Sequence, residues 1–244
     1  MTKLKLHSTV VLIILGSIFS SSALFGKDLA DARQKVRTGQ GRAALVTLRE
    51  IIADCTAASS TLSEASRQNY FFALKGVYDL ACRYGETDLF HLFETSVARD
   101  FPENPQLIAL VGNCHHYRGE YSLAKEAWER ALALDPENLE ARFHLLELRE
   151  WSEPPDALRE EYRWFVDYYN EHEETLPADL EWIGRACVKI EKYQWDGAQK
   201  AYQQALDASP EFEPVIIAKG DLWLDRYDPE NAISYYSSIF KFNT

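Results

Sequence analysis

The chain has 244 residues, of which 46% are hydrophobic and 13% aromatic; that excludes an intrinsically disordered chain and leaves room for one large domain or two small ones. Gly and Pro number 11 and 9, too few for collagen-like or low-complexity sequence. Lys and Arg total 26 against 38 Asp and Glu, a net charge of −12, and a surface of that sign repels phosphate backbones, so no nucleic acid partner is expected.

The chain opens with Lys3, Lys5 and His7, then an apolar run from Val10 to Phe19, then Ser20, Ser21, Ser22 and Ala23. A basic start, a greasy core and a small-residue exit are the order of a secretory signal peptide. The apolar run falls well short of the ~20 residues that span a hydrocarbon core. Cleavage is expected after Ala23, with Ser21 at the third position before the cut, and Gly26 is the second choice. No Cys stands at the exit, so a lipid anchor is not indicated. The mature chain has no second long apolar stretch. It is expected to carry no membrane span and to be exported, periplasmic or secreted.

Four cysteines follow, Cys55, Cys82, Cys114 and Cys187. They allow three disulfide connectivities, and their spacing matches no zinc pattern. All but Cys55 fall in helical stretches, where Cys serves as a small buried hydrophobe, so mostly free, packed thiols are expected.

The remainder repeats with a period of 34. Gly85 and Gly119 are one period apart, as are Pro102 and Pro136, Trp128 and Tyr162, Ala198 and Ala232, and Tyr202 and Tyr236. From Tyr162 to Tyr202 the step carries six extra residues. The surplus is assigned to an enlarged loop after Phe165, around Glu171 to Ala178. Residues 160–174 are dense in aromatics and acids, and Trp164, Tyr168 and Tyr169 either cover that loop or form an exposed hot spot.

The clearest unit runs from Pro105 to Asn138. Gly112 stands eighth, Gly119-Glu120-Tyr121 forms a turn, Ala124, Trp128 and Ala131 make a small–aromatic–small stripe, and Pro136 ends the unit because it cannot continue a helix. This unit resembles the tetratricopeptide repeat. The other units are more degenerate: one around Ala32 to Ile51, then Phe71–Asn104, Leu139 to about Ala178, Asp179–Phe212 and Glu213–Thr244. A Ser/Thr/Ala-rich insert from Ala57 to Ser63 separates the first from the second. The expected organisation is a signal peptide at 1–23, a degenerate helix pair at 24–62 and a repeat array at 63–244. The resemblance implies an all-α solenoid, a right-handed superhelix of about six helix–turn–helix repeats whose first helices line a concave face. Each helix pair has an apolar stripe that only the next pair covers.

Two clusters invite a chemical reading. Cys114-His115-His116 would need three consecutive helical residues to converge, but neighbours on a helix point about 100° apart. His172-Glu173-Glu174-Thr175-Leu176 begins like a zinc-protease motif and has Leu176 where the second His belongs. No nucleophile elbow, P-loop or dinucleotide fingerprint occurs. The chain is therefore read as a non-enzyme with no cofactor and no metal.

What the resemblance implies for binding is a set of positions on the first helices. Across the units these include Lys75, Asp79 and Arg83, then Asn113, His116 and Tyr117, then Glu147 and Trp151, and finally Asp221. In the fifth unit they fall on Leu180, Ile183, Cys187, Ile190 and Glu191. Gripping a C-terminal carboxylate, as some members of the family do, requires Asn where Asp79 stands, so that mode is not implied. The acids of the C-terminal half either recruit a protein or peptide segment carrying Lys or Arg with apolar anchors, or only keep the surface soluble. The expected function is an exported scaffold or adaptor that binds such a segment. The alternative is the non-catalytic arm of a larger exported enzyme, for example a peptidase. The last helix carries Ile233, Tyr236, Ile239, Phe240 and Phe242, which suggests a longer parent protein or self-association through the C-terminal repeat.

Overall fold

The structure is a computed structural model that describes residues 26–58, 62–172, 175–190 and 195–242. The expected signal segment, the Ser-rich insert at 59–61, Glu173, Glu174 and Glu191 lie outside the described residues. Among them there are twelve α-helices and no strand: α1 (Gly26–Arg37), α2 (Gly41–Ala57), α3 (Glu64–Tyr84), α4 (Thr87–Asp100), α5 (Pro105–Tyr117), α6 (Tyr121–Leu134), α7 (Leu139–Arg149), α8 (Pro155–Glu171), α9 (Pro177–Ile190), α10 (Trp195–Ala208), α11 (Glu213–Leu224) and α12 (Pro229–Phe242). The chain divides into two compact units between Pro102 and Glu103.

In the first unit, α2 buries Ala44, Leu48, Ile51, Ile52 and Cys55 on one side, the spacing of an amphipathic helix. Cys55 thus lies inside a helix, contrary to the expectation. The Ser/Thr/Ala-rich insert ends at Ser63, whose hydroxyl caps α3 by accepting the Ser66 N–H at 3.2 Å. That cap starts α3 seven residues before Phe71, where the repeat register had placed the start. Polar contacts tie three helices together. The Tyr70 hydroxyl donates to Asp100 Oδ2 at 2.6 Å, and Arg99 Nη2 donates to Thr56 Oγ1 at 2.7 Å.

In the second unit, Asn104 caps α5 by accepting the Leu107 N–H at 2.9 Å. One period later Asn138 caps α7 by accepting the Ala141 N–H, also at 2.9 Å. Pro105 sits in the first turn of α5, where its missing N–H costs nothing. In three of the four pairs a glycine lies under an aromatic ring: Gly112 under Trp128, Gly184 under Tyr202 and Gly220 under Tyr236. A methyl group on any of the three would fall inside contact distance of that ring.

Those three crossings correct the sequence register. The eighth place of the fifth unit belongs to Gly184, not Ala186, and the unit begins at Pro177 rather than Asp179. The six surplus residues are split, because α9 starts 38 residues after α7 and α11 starts 36 after α9, against 34 from α5 to α7. Part of the surplus lengthens α8 to 17 residues, against 14 in α6 and α10. The extra aromatics of α8 are packed rather than exposed. Arg142 lies over the Trp164 ring at 3.8 Å, Trp164 meets Tyr168, and Tyr168 stacks on His172 at 3.9 Å.

Cys55, Cys114 and Cys187 are buried, Cys82 is exposed, and none is in a disulfide. Burial pushes the Cys55 thiol up to about 11, with the charges of Asp54 and Asp100 adding to it, and burial alone does the same to Cys187. No helix among the described residues is long and apolar enough to cross a membrane.

The turns show one local conflict. Gly39, Gly85 and Gly119 adopt positive φ, which only glycine takes at low cost. At the matching turn before α12 the residue is Tyr227, at φ 60° and 94% exposed. Tyr227→Gly is therefore expected to raise the stability of the chain by about 0.5–1 kcal/mol, the left-handed penalty less the entropy of glycine. Gly112→Ala is expected to lower it by about 1–3 kcal/mol by driving a methyl into the buried indole. Urea denaturation followed by circular dichroism measures both.

Candidate functional site

The first helices of the second unit pack in series, α5 on α7, α7 on α9 and α9 on α11. Side chains not spent on pairing therefore form one continuous face. Its backbone is a ladder of rings. Trp128 is buried from α6, and its indole N–H donates to Ala109 O at 3.1 Å and to Asn113 Oδ1 at 3.0 Å. His144 of α7 stacks on Trp128 at 4.9 Å with an interplanar angle of 18°. Trp182 of α9 meets His144 edge-on at 5.0 Å. His116 of α5 lies 6.3 Å from His144 and 5.7 Å from Trp128.

Carboxylates line the ladder. Glu140 Oε1 accepts from Asn113 Nδ2 at 2.7 Å. Glu147 Oε2 lies 3.0 Å from His144 Nδ1. Glu150 is held on both oxygens, by the Tyr162 hydroxyl and by Lys189 Nζ, each at 2.7 Å. Glu181, only 7% exposed, pairs with Arg185 at 3.0 Å. Burial pushes the Glu181 carboxyl up, with Arg185 pulling against it. Burial also works against Glu147, but the His144 hydrogen bond and the charges of His144, Lys189 and Arg185 win and hold that carboxyl below its ordinary value.

Of the residues expected from sequence, the structure brings together Asn113, His116 and Glu147, with Tyr117 and Trp151 exposed on the same run of helices. Asp221 is spent on its own pair, accepting from the Tyr236 hydroxyl at 2.6 Å. Lys75, Asp79 and Arg83 lie exposed at four-residue spacing along α3, in the first unit. The fifth-unit positions are corrected by the register: Leu180, Ile183, Cys187 and Ile190 are buried core. Glu181, Arg185 and Lys189 take the places assigned to them. Sequence reasoning passed over these three, and Gly184 was the signal that would have found them. It also missed His144 and Trp182, whose roles come from the packing of three helices. Cys114, His115 and His116 diverge as helical neighbours must: Cys114 is buried, His115 bonds Glu120 at 2.7 Å, and His116 faces Tyr121. Among the described residues no group of three His, Cys, Asp or Glu is placed to hold a metal ion.

Residues 105–138 match the family model of the tetratricopeptide repeat. The chain carries a tetratricopeptide repeat. The matched repeat is the pair α5–α6, with Asn113 and His116 on its first helix and Trp128 on its second. Among solved structures the chain is similar to MamA 41-end from Desulfovibrio magneticus RS-1, at 16% identity over 69% of this chain and 92% of that one, with a TM-score of 0.35. No curated protein matches the sequence.

The His116 imidazole is held below its ordinary value, chiefly by burial and then by the charge of His144, against the pull of Glu147. The unfolded chain therefore binds this proton more tightly than the folded one. Stability from this source is full above the ordinary imidazole value of about 6.5 and is lost progressively as pH falls from there through the depressed folded-state value. His116→Gln is expected to flatten the fall of melting temperature between about pH 7 and pH 5. A thermal denaturation series over that range reads it.

Proposed function

We propose that this chain is an exported scaffold that binds a protein or peptide segment on the face formed by α5, α7, α9 and α11. The observation that carries the reading is the ladder Trp128–His144–Trp182 flanked by Glu140, Glu147, Glu150 and Glu181. The half-buried rings of His144 and Trp182, backed by buried Trp128, give a segment apolar surface to displace water from, and pre-placed carboxylates give it register. The carboxylates outnumber Arg185 and Lys189, so the partner segment carries Lys or Arg together with apolar anchors. The family is a class of protein-interaction scaffold, and the site holds no grouping that implies catalysis. Export rests on the order of residues 1–23 alone.

Two measurements test this reading. The protein from its native host is expected to begin at Leu24 when its N-terminus is sequenced. Residues 24–244, immobilised, are expected to capture a partner from the envelope or secreted fraction. Glu147→Lys is expected to abolish that capture, and Glu129→Lys on the exposed side of α6 is expected to leave it intact. Equal loss from both variants rules the face out.

A second contact is favoured by Ile233 and Phe240, which leave 61% and 72% of their surface exposed on α12. Contact between two copies through this helix accounts for them. Light scattering of the purified chain is then expected to show a dimer that Phe240→Glu dissociates.

A further inference from the structure

We propose that the corner formed by Tyr121 and Trp151 is a subsite for a cationic side chain, Arg or Lys, of the partner segment. This rests on the peptide-binding reading above and names one subsite within it.

The two rings come from different helix pairs. Tyr121 is the first residue of α6, and Trp151 lies just past the end of α7. Their centroids are 4.7 Å apart and their planes stand at 84°, so they form two walls at a right angle. His116 backs Tyr121 at 5.4 Å, which fixes the corner to the end of the ring ladder. Yet Trp151 leaves 66% of its surface exposed and Tyr121 leaves 42%, so the core does not account for them.

The chain's treatment of other rings that are not fully buried points to the occupant. Arg142 lies over Trp164 at 3.8 Å, Arg226 over Trp195 at 4.4 Å, Arg33 over Phe72 at 4.9 Å and Arg185 over Trp182 at 5.5 Å. Among the described residues no Lys or Arg is recorded over Trp151 or Tyr121. Indole and phenol faces attract a cation within about 6 Å of the ring.

The surrounding charge has the sign that favours one. Glu147 stands one helical turn before Trp151, Glu150 beside it and Glu153 two residues beyond. Glu120 precedes Tyr121. The nearby cations are engaged: Arg149 grips Glu153 at 2.7 Å, Lys189 grips Glu150 at 2.7 Å, and Arg118 grips Glu120 at 2.9 Å. Glu147 has the His144 imidazole as its recorded hydrogen-bond partner. What remains is a corner of ring faces in a negative field, which favours Arg or Lys over proline or a plain apolar residue.

The test uses residues 24–244 and three decapeptides: alternating Arg and Leu, the same peptide with citrulline for every Arg, and oligoproline. Citrulline keeps the planar head and removes the charge. Isothermal titration is expected to show the Arg peptide binding at least about tenfold tighter than the citrulline peptide. Trp151→Ala and Tyr121→Ala are each expected to weaken the Arg peptide about fivefold and leave the citrulline peptide unchanged. Thermal denaturation confirms that the exposed substitutions leave the fold intact. Equal binding of the charged and uncharged peptides, preference for oligoproline, or no binding at all overturns the subsite. If Glu147→Gln weakens the Arg peptide while Trp151→Ala does not, the corner is wrong and the face stands. If neither variant matters but Glu126→Lys with Glu129→Lys abolishes binding, the face itself is wrong.

Discussion

The second unit depends on one close approach, repeated. A glycine on a first helix lets the partner helix come near enough for an aromatic ring to lie against its backbone. Gly112 meets Trp128, Gly184 meets Tyr202 and Gly220 meets Tyr236. A side chain at any of these glycines would push the pair apart and open a gap that the ring could not fill. Burial of one such ring contributes roughly 1.5–3 kcal/mol, so the crossings set both the spacing of each pair and a large share of its cohesion. The pair α7–α8 uses another solution. Leu146 stands at the small-residue place and is buried, and Tyr162 packs on Phe143 while its hydroxyl reaches Glu150.

The same rings connect packing to the candidate face. Trp128 and Tyr162 each carry a polar hydrogen that must be met once the ring is buried, and half-buried Tyr236 carries one too. Asn113, Glu150 and Asp221 meet it from the first helix of each pair. The polar residues of the face are thus partly structural, and their orientation is set by the core behind them. Glu147 differs, since its recorded hydrogen bond is to His144 on its own helix. It is the carboxylate on this face with the least structural duty.

Much of the fold was legible in the sequence because its signals are local. Asn104, Pro105, Gly112, Gly119, Trp128 and Pro136 each act through a cap, a turn or one crossing, and Asn104, Gly119, Trp128 and Pro136 have a like residue one period away in Asn138, Gly85, Tyr162 and Pro102. The repeat register places the start of α3 at Phe71, one period before Pro105, but this helix is 21 residues long and the local cap at Ser63 decides where it begins. The fifth unit slipped by two because all six surplus residues were put in one loop. The chain divides them between two connections, and only Gly184 marks where. His144 and Trp182 could not be read from position alone, because they matter through contacts that span three helices from three successive pairs. No spacing rule within one repeat encodes contacts that cross from one repeat to the next.

The distribution of thiols has a practical consequence. Cys82 is at the surface of α3, while Cys55, Cys114 and Cys187 are sealed among apolar neighbours, two of them with their acidity suppressed. The native chain therefore offers one sulfur to an alkylating reagent and withholds three until helices separate. Cys55 reports the opening of the first unit, and Cys114 and Cys187 report two different pairs of the second. Alkylation followed by mass spectrometry gives this chain a built-in clock for partial unfolding, with no added label.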